Sequence, residues 1–379
     1  MLRVAFAGAG AYMVYPLYDN KITIHHADTP ENRDLIQSVP SLSQGAFYPT
    51  PWLSSGSLQT IYGIGAKILN EKLEVLSGPN YDREILTLEC GGTISIDWVH
   101  SENLKPDSKV LIIVPGLTGG SEAYYIQDLV HLAQSKGFRV AVFHGRGISG
   151  TPLTTPRANH LGLPSDLDFA VNTIHSRYPE AHLVGLGTSM GANLILKYAG
   201  ELGNECLLKG ISVISAPFDV VSCSRHLRAN YSLASISDRY LTKGLTDLVR
   251  SHTNFHDHWE KLGIDINSTM EATRTFEFDK TFTVKVLGYQ NPEEYYDEFS
   301  CHNVLHNITV PVLALSSRDD PVVASECIPF SSFNSNPNLI LALTRSGGHV
   351  GWFTGMRTPV RWYSYPTLEF LDTILEKTK

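Results

Sequence analysis

Six short apolar runs, most of them rich in β-branched residues, recur along the chain. Most of the stretches between them carry apolar residues at helical spacing, as in "YYIQDLVHLAQSKG" and "SDLDFAVNTIHSRYP". Strands that are apolar on both faces are typical of a parallel sheet that lies between two layers of helices. The runs are KVLIIVPG (109–116), RVAVFHG (139–145), HLVGLG (182–187), GISVISAP (210–217), VPVLALSS (310–317) and NLILALT (338–344). The pattern predicts an α/β fold with a mostly parallel central sheet flanked by helices.

Two other stretches indicate what surrounds this sheet. Residues 84–99 alternate around a Gly-Gly pair, which predicts an antiparallel hairpin at the sheet edge. Between the runs that end near Pro217 and begin near Val310 lie about 90 residues, far more than an α/β connection needs. We therefore expect an inserted helical cap over 218–307.

The first 60 residues carry proline and aromatic clusters without clear periodicity. We expect residues 1–60 to form an arm that wraps the core, and the core to comprise 61–217 and 308–379. The start, "MLRVAFAGAGAYMVYPLYDN", is apolar over about a dozen residues, short of the roughly 20 that span a bilayer. We interpret it as a packing segment or, at most, an anchor at a membrane surface.

Composition narrows the classes of partner and compartment. The 379 residues carry a formal net charge of −8 and no run of Lys or Arg, which argues against nucleic acid as a partner. Five scattered cysteines without a Cys-x-x-Cys pair suggest neither a disulfide framework nor a zinc site. We expect a cytoplasmic protein without cofactor or metal, and leave open peripheral contact with an intracellular membrane and the oligomeric state.

The segment "HLVGLGTSMGANLILKYAG" places Ser189 between two glycines, after a buried-type strand and before a helical pattern. Small flanking residues allow the sharp turn from strand to helix that exposes a serine hydroxyl above a sheet. A serine becomes a nucleophile when an imidazole takes its proton and a carboxylate orients that imidazole. We therefore predict Ser189 as a nucleophile, with an acid and then a histidine later in the chain.

The acid and the histidine have candidates in the expected order. Asp319 and Asp320 follow the run 310–317, and we favour Asp320 because Val-Val follows it after one proline, while Asp319 stays an alternative. His349 follows the last run, after two glycines that let its loop come close to the serine. No other histidine lies after that run.

An oxyanion requires preorganised N–H donors. We predict the backbone N–H of Met190, next to the serine, as one donor. The loop "PGLTGG" after the run 109–116 would supply the second donor, from Leu117 or alternatively Thr118.

The stretch "SHTNFHDHW" clusters His252, His256, Asp257 and His258 within the expected cap. Two histidines four residues apart on a helix can share a metal ion, but a serine triad requires none. We favour a solvated face of the cap.

Beyond these residues, the chain resembles the YheT-like branch of the α/β-hydrolase superfamily. That branch includes the monoacylglycerol-lipase-type ABHD proteins and the medium-chain fatty acid ethyl ester synthase/esterases. The resemblance runs from about residue 47 to 353 and rests on the segments YPTPWLSSGSLQTIYG, PGLTGGSEAYYIQDLV, GRGISGTPLTTPR, GTSMGAN, PFDVVSCSRHL, FDKTFTVKVLGYQNPEEYY, RDDPVV and NPNLILALTRSGGHVGW. It implies a triad of Ser189, Asp320 and His349. Some members carry a His-x-x-x-x-Asp acyltransferase motif; we interpret its match here, His252 to Asp257, as coincidence.

We therefore expect an α/β-hydrolase fold and a serine hydrolase that cleaves carboxylic esters of medium- or long-chain acyl groups through an acyl-enzyme. The partner would be a small acyl ester, whose chain aromatic residues of the cap would bury. Candidates for that contact are Phe218, Tyr231, Tyr240, Phe255, Trp259 and Tyr295. Two alternatives stay open, namely an alcohol O-acyltransferase that uses the same triad and a non-catalytic binding protein.

Overall fold

The computed structural model describes residues 3–7, 11–15, 20–73, 78–101, 104–229 and 233–378. Thirteen strands are present in these ranges, nine of them in one sheet. In chain order they are β1 Arg3–Ala7, β2 Ala11–Tyr15, β3 Thr23–His26, β4 Tyr81–Thr87, β5 Thr93–Val99, β6 Val110–Val114, β7 Arg139–His144, β8 Leu183–Thr188, β9 Leu208–Ile214, β10 Val312–Ser317, β11 Leu339–Thr344, β12 Phe353–Thr354 and β13 Val360–Arg361.

Helices occupy most of the connections between the strands. They are α1 Pro30–Ser38, α2 Pro40–Ser43, α3 Gly56–Leu73, α4 Tyr124–Ser135, α5 Pro164–Arg177, α6 Met190–Leu202, α7 Val220–Ala229, α8 Leu233–Ser251, α9 His256–Lys261, α10 Ile266–Met270, α11 Thr275–Phe278, α12 Val284–Leu287, α13 Pro292–Phe299, α14 Phe330–Ser335 and α15 Ser364–Lys377. A π-helical segment, Asp279–Thr283, joins α11 to α12.

The nine-stranded sheet has the order β3-β11-β10-β9-β8-β6-β7-β5-β4. The six central strands, from β11 to β7, are parallel to one another. The predicted hairpin β4–β5 pairs antiparallel with β7 at one edge. The prediction of a mostly parallel sheet flanked by helices, an α/β-hydrolase architecture, is confirmed.

Alternate residues of the central strands enter two apolar cores, one on each face of the sheet. On β6, Val110, Ile112 and Val114 pack into the core that α5 and α6 cover, and Leu111 and Ile113 pack into the core of α4 and α15. All five side chains are buried. This burial on both faces explains why the strand appears in the sequence as an unbroken apolar run.

The segment before β4 adds an element that the sequence did not predict. β3 extends the sheet at its far edge, where it pairs antiparallel with β11. Helix α2 is joined to α15 by the hydrogen bond from Ser41 N–H to Glu369 Oε2, 2.8 Å. The side chains of residues 1–19, which include the proposed anchor, lie outside the described residues.

The long connection between β9 and β10 is helical and contains α7 to α13. We call residues 220–299 the helical insertion. Trp259, Phe278 and Phe282 belong to an apolar cluster that the insertion shares with Ile148 and Leu153, which follow β7. In the part of the chain that the structure describes, none of the helices combines the length and apolar character that crossing a bilayer requires.

Candidate active site

Ser189 lies at the turn between β8 and α6, with a backbone conformation of φ 51° and ψ −122°. A non-glycine residue with positive φ is strained, so packing around the turn must hold it. A Cβ on Gly191 would lie 2.1 Å from the Val114 carbonyl oxygen, and one on Gly187 would lie 2.6 Å from Ala192 Cα. The two glycines are therefore what lets α6 begin directly above the strands and present the Ser189 hydroxyl.

His349 lies in the loop after β11, with its ring between the serine and a carboxylate. Its Nε2 is 2.8 Å from Ser189 Oγ, and its Nδ1 is 3.0 Å from Asp320 Oδ2. The Asp320 side chain is 2% exposed, and its other oxygen accepts the N–H groups of Val322 and Val323 at 2.8 and 2.9 Å. The structure thus brings the three predicted side chains into one hydrogen-bonded chain.

The Asp319 carboxylate contacts backbone N–H groups of the histidine loop and does not contact the His349 ring. Its Oδ1 accepts the N–H groups of Gly347 and Gly348 at 3.0 and 3.2 Å, and its Oδ2 accepts that of Gly56 at 2.6 Å. Burial raises the pKa of this carboxyl, although the three hydrogen bonds act in the opposite direction. Of the two candidate acids, Asp320 is the one whose carboxylate contacts the His349 ring.

Helix α3 also supports the histidine loop, a contact that the sequence did not reveal. Thr60 Oγ1 accepts the His349 N–H at 2.8 Å and donates to the Gly56 carbonyl at 2.8 Å. Gln59 Oε1 accepts the Phe353 N–H at 2.7 Å, four residues after the histidine. The only signal for this role was the segment "SSGSLQT" itself, which shows no apolar periodicity.

The predicted oxyanion donors belong to two segments next to the serine. Met190 is the first residue of α6, where the N–H group has no acceptor within the helix. Leu117 and Thr118 lie in the loop after β6 and line the same cavity as Ser189, and Thr118 has a positive φ of 57°. A Cβ on Gly116 would lie 3.2 Å from Ser189 Cβ, so this loop runs close above the nucleophile.

Two cavities meet at Ser189. The outer cavity, about 150 Å³, lies between α3, the loop after β6 and α8, and His349 and Arg361 also line it. The inner cavity, about 70 Å³, lies beneath the helical insertion. Ser189, Leu117, Leu241 and Val322 line both, so both cavities open onto the serine.

Both cavities are lined by aliphatic side chains and by tyrosines, and two of the six predicted aromatic residues are among them. Of the six aromatic candidates, Tyr240 lines the outer cavity and Tyr295 the inner one. Phe218 packs edge-on against Phe333 in the core, and Trp259 packs against Phe255 and Phe282 within the insertion. Tyr231 lies outside the described residues.

The histidine cluster of the insertion hydrogen-bonds to the end of α8. A ring nitrogen of His252 lies 2.8 Å from the Leu248 carbonyl oxygen, and one of His256 lies 3.1 Å from that of Val249. Among the described residues, no group of three or more His, Cys, Asp or Glu side chains is arranged to hold a metal ion.

Comparison with known proteins gives the family. The α/β hydrolase fold family matches residues 109–354. Phospholipase ABHD3 of Bos taurus is 34% identical over 315 residues, 82% of this chain and 74% of that relative. Monoacylglycerol lipase of Saccharomyces cerevisiae is 28% identical, over 93% of this chain and 88% of that protein.

Among solved structures, Est1E from Butyrivibrio proteoclasticus with bound ferulic acid aligns with a TM-score of 0.52 and 13% identity. The alignment covers 78% of this chain and 99% of that one, and it shows a shared fold alone. Taken with the sheet order, the family match and the relative of 34% identity establish the family. The chain belongs to the α/β hydrolase fold family, as an ABHD-type member.

Proposed function

We propose that the chain is a serine hydrolase that cleaves carboxylic esters of medium- or long-chain acyl groups. The observation that carries the proposal is the hydrogen-bonded chain from Ser189 Oγ through His349 to Asp320, at 2.8 and 3.0 Å. That arrangement can lower the barrier to attack by a hydroxyl group that is otherwise a weak nucleophile.

In the proposed reaction, Ser189 Oγ attacks the ester carbonyl while His349 Nε2 takes its proton. Asp320 holds the other ring nitrogen and stabilises the imidazolium that forms. The backbone N–H groups of Met190 and Leu117 donate to the oxyanion. His349 then protonates the leaving alcohol, and it later activates the water that hydrolyses the acyl-enzyme.

Two observations support an acyl lipid as the substrate. Aliphatic side chains such as Leu117, Leu241 and Val322 line both cavities, and each buried CH₂ of a ligand contributes about 0.8 kcal/mol. The similar proteins named above are a phospholipase and a monoacylglycerol lipase. We propose that the helical insertion acts as a cap over the acyl chain.

A series of p-nitrophenyl esters from acetyl to palmitoyl tests the proposal, with wild type and Ser189→Ala compared. We expect the wild-type kcat/KM to rise about fourfold per added CH₂ until the cavity is filled. Ser189→Ala should lose at least about a thousandfold in kcat. A wild type that prefers acetyl esters would contradict the acyl-chain assignment.

The same reactions with added ethanol separate hydrolysis from acyl transfer. Free fatty acid as the main product supports the hydrolase. Ethyl ester as the main product would instead show an alcohol O-acyltransferase that uses the same residues. No turnover of any ester would favour a binding protein.

A further inference from the structure

The lining of the inner cavity includes polar groups that an unsubstituted acyl chain would not use. Val220, Leu227 and Leu245 are among its apolar residues. Its polar residues include Asp279, Thr283, Tyr295, Tyr296 and His160. A cavity that held only hydrocarbon would gain from apolar residues at these positions, since burial of polar groups is costly.

Asp279 is the main feature of that polar lining. It is 7% exposed and belongs to the π-helical segment, a kind of local helix distortion that is frequent at functional sites. Its two oxygens accept hydrogen bonds from different hydroxyls, Oδ1 from Thr283 and Oδ2 from Tyr296, each at 2.5 Å. Each carboxylate oxygen can accept at least one further bond, so Asp279 retains capacity to accept from a ligand.

The electrostatic surroundings of Asp279 are unfavourable for its charge. Burial, and to a smaller extent the nearby acid Asp238, raise the pKa of the Asp279 carboxyl to about 6, against the effect of the two hydroxyls. At neutral pH the carboxylate is therefore largely ionised, in a place where ionisation costs free energy. A ligand donor would recover part of that cost.

His160 adds an unused donor to the same cavity wall. Burial lowers the pKa of its ring to about 3, so the ring is neutral. The Tyr295 hydroxyl accepts the Leu161 N–H at 2.9 Å and lies 3.2 Å from His160 Nδ1, so the tyrosine can donate its own proton to that nitrogen. In that tautomer the ring proton is on Nε2, which is buried and has no hydrogen-bond partner in the described part of the chain.

We propose that the inner cavity is a subsite for a hydroxyl-bearing part of the ester, in which Asp279 accepts a hydrogen bond from a ligand hydroxyl and His160 Nε2–H donates one. This inference rests on the proposed function and narrows its substrate class. An alcohol group is both donor and acceptor, and thus matches the remaining acceptor capacity of Asp279 and the donor of His160, whereas hydrocarbon matches neither. The hydroxyl can belong to a polyol leaving group or to a hydroxylated acyl chain.

Three esters of equal acyl length distinguish these sources: a glycerol monoester, a propyl ester, and the propyl ester of the corresponding hydroxylated acid. We expect wild type to favour at least one hydroxylated ester over the plain propyl ester. Asp279→Asn should raise KM and reduce kcat/KM for that ester about tenfold, since hydrogen bonds to charged groups are among the stronger ones. Turnover of the plain propyl ester should stay within about twofold.

Asp97→Asn is the matched control. Asp97 is buried on β5 and accepts from Ser121 Oγ and Arg83, but it does not line the inner cavity. We expect it to leave the preference between esters unchanged. His160→Phe keeps an aromatic ring without the donor, and should also reduce the preference for the hydroxylated ester. It provides the test if Asp279→Asn folds poorly.

Two results would overturn the subsite. One is that wild type cleaves all three esters with equal kcat/KM. The other is that Asp279→Asn and His160→Phe lose kcat/KM equally for plain and hydroxylated esters, which is the result expected if the two residues have only a structural role. Either result leaves the ester hydrolase in place, since the plain ester is still cleaved. Absence of cleavage of every ester by wild type would overturn the proposed function and the subsite together.

Discussion

Ser189 holds a backbone conformation that most residues avoid, and its neighbours explain how the fold tolerates it. Its N–H donates to the Ile214 carbonyl at 2.9 Å, which ties the turn to the next strand. Gly187 and Gly191 allow the close approach of α6. The strain is thus held by contacts on both sides of the serine.

Gly191→Ala tests that packing. The new Cβ would meet the Val114 and Pro115 carbonyl oxygens at 2.1 and 2.3 Å, and backbone atoms cannot move aside as a side chain can. We expect a loss of unfolding free energy of about 3 kcal/mol and at least a hundredfold lower kcat/KM. Melting temperature and ester hydrolysis report the two effects.

Gly65→Ala is the control, since nothing lies within 4 Å of a Cβ at that position of α3. It should fold as wild type or slightly more stably, because alanine favours a helix over glycine by about 1 kcal/mol. A Gly191→Ala protein with wild-type stability and activity would contradict the packing account.

Substitutions of the two adjacent acids should differ in their effects on kcat and on stability. Asp320→Asn removes the charge beside His349 and should reduce kcat about 10⁴-fold with little loss of stability, as expected where a triad carboxylate sets the tautomer. Asp319→Asn replaces one of two acceptor oxygens by a donor, and should cost about 1–3 kcal/mol of stability with a smaller loss of kcat. If Asp319→Asn caused the larger loss of kcat and Asp320→Asn the larger loss of stability, in steady-state and melting assays, the two acids would have the opposite roles.

Sequence could place the serine, the acids and the histidine because each follows a strongly apolar strand of a parallel sheet, where strand ends meet at one edge. It favoured Asp320 but kept Asp319 open, because both follow the same strand. Their difference lies in the turn, which directs Asp320 to His349 and Asp319 to the N–H groups of Gly56 and Gly347.

Helix α3 illustrates why one supporting element was missed. Its first turns bury the polar Gln59 and Thr60 and expose the apolar Leu58 and Ile61 by 46% and 41%. This inverts the pattern by which an amphipathic helix is found from sequence. The boundary that we placed at residue 60 therefore falls inside a helix that begins at Gly56.

Thr60→Val tests the contribution of α3 to the histidine loop. The variant keeps the side-chain shape but leaves the His349 N–H without its acceptor, which should cost about 1–3 kcal/mol of stability. Because the unpaired group belongs to His349 itself, we expect kcat to fall about tenfold as well.

Thr367→Val provides the comparison, since Thr367 is equally buried but lies on α15 and donates within its own helix to the Tyr363 carbonyl. We expect its kcat to match wild type. Equal kcat values for Thr60→Val and Thr367→Val would remove α3 from the account of the site.

The raised pKa of Asp279, in the π-helical segment, predicts that the stability of the protein depends on pH. The folded pKa of Asp279, about 6, exceeds its ordinary value of 3.8, so the folded state favours the protonated acid. The groups that face it are the hydroxyls of Thr283 and Tyr296 and the acid Asp238. This preference stabilises the folded state fully below about pH 4. As pH rises through 6, about 3 kcal/mol of the free energy of unfolding is lost.

Asp279→Asn does not titrate and isolates this effect. The melting temperature of wild type minus that of Asp279→Asn should decrease between pH 4 and pH 7. A difference that stays constant over this range would show that Asp279 is not buried as an ionisable acid.

For the whole molecule, the central strands and the hairpin at one edge of the sheet were predictable, and the opposite edge was not. The six central strands were found from buried apolar runs and the β4–β5 hairpin from its alternation, because each signal is local. β3, with the sequence TIHH, is too short and too polar to be recognised, and it enters the sheet only because β11 offers an unpaired edge. The cavities depend on how segments distant in the chain pack together. Asp279 and His160, for example, line one cavity although no local sequence pattern specifies that they meet.

The central claim is that Ser189 attacks an ester carbonyl, and covalent labelling tests it most directly. Wild type, Ser189→Ala and Ser237→Ala would be treated with a fluorophosphonate and analysed by intact-mass and peptide-mapping mass spectrometry. Ser237 lines the same outer cavity and controls for a serine that is merely accessible there. We predict one adduct, on Ser189, in wild type and Ser237→Ala, and none in Ser189→Ala. An adduct on another residue, or equal labelling of Ser189→Ala, would contradict the account.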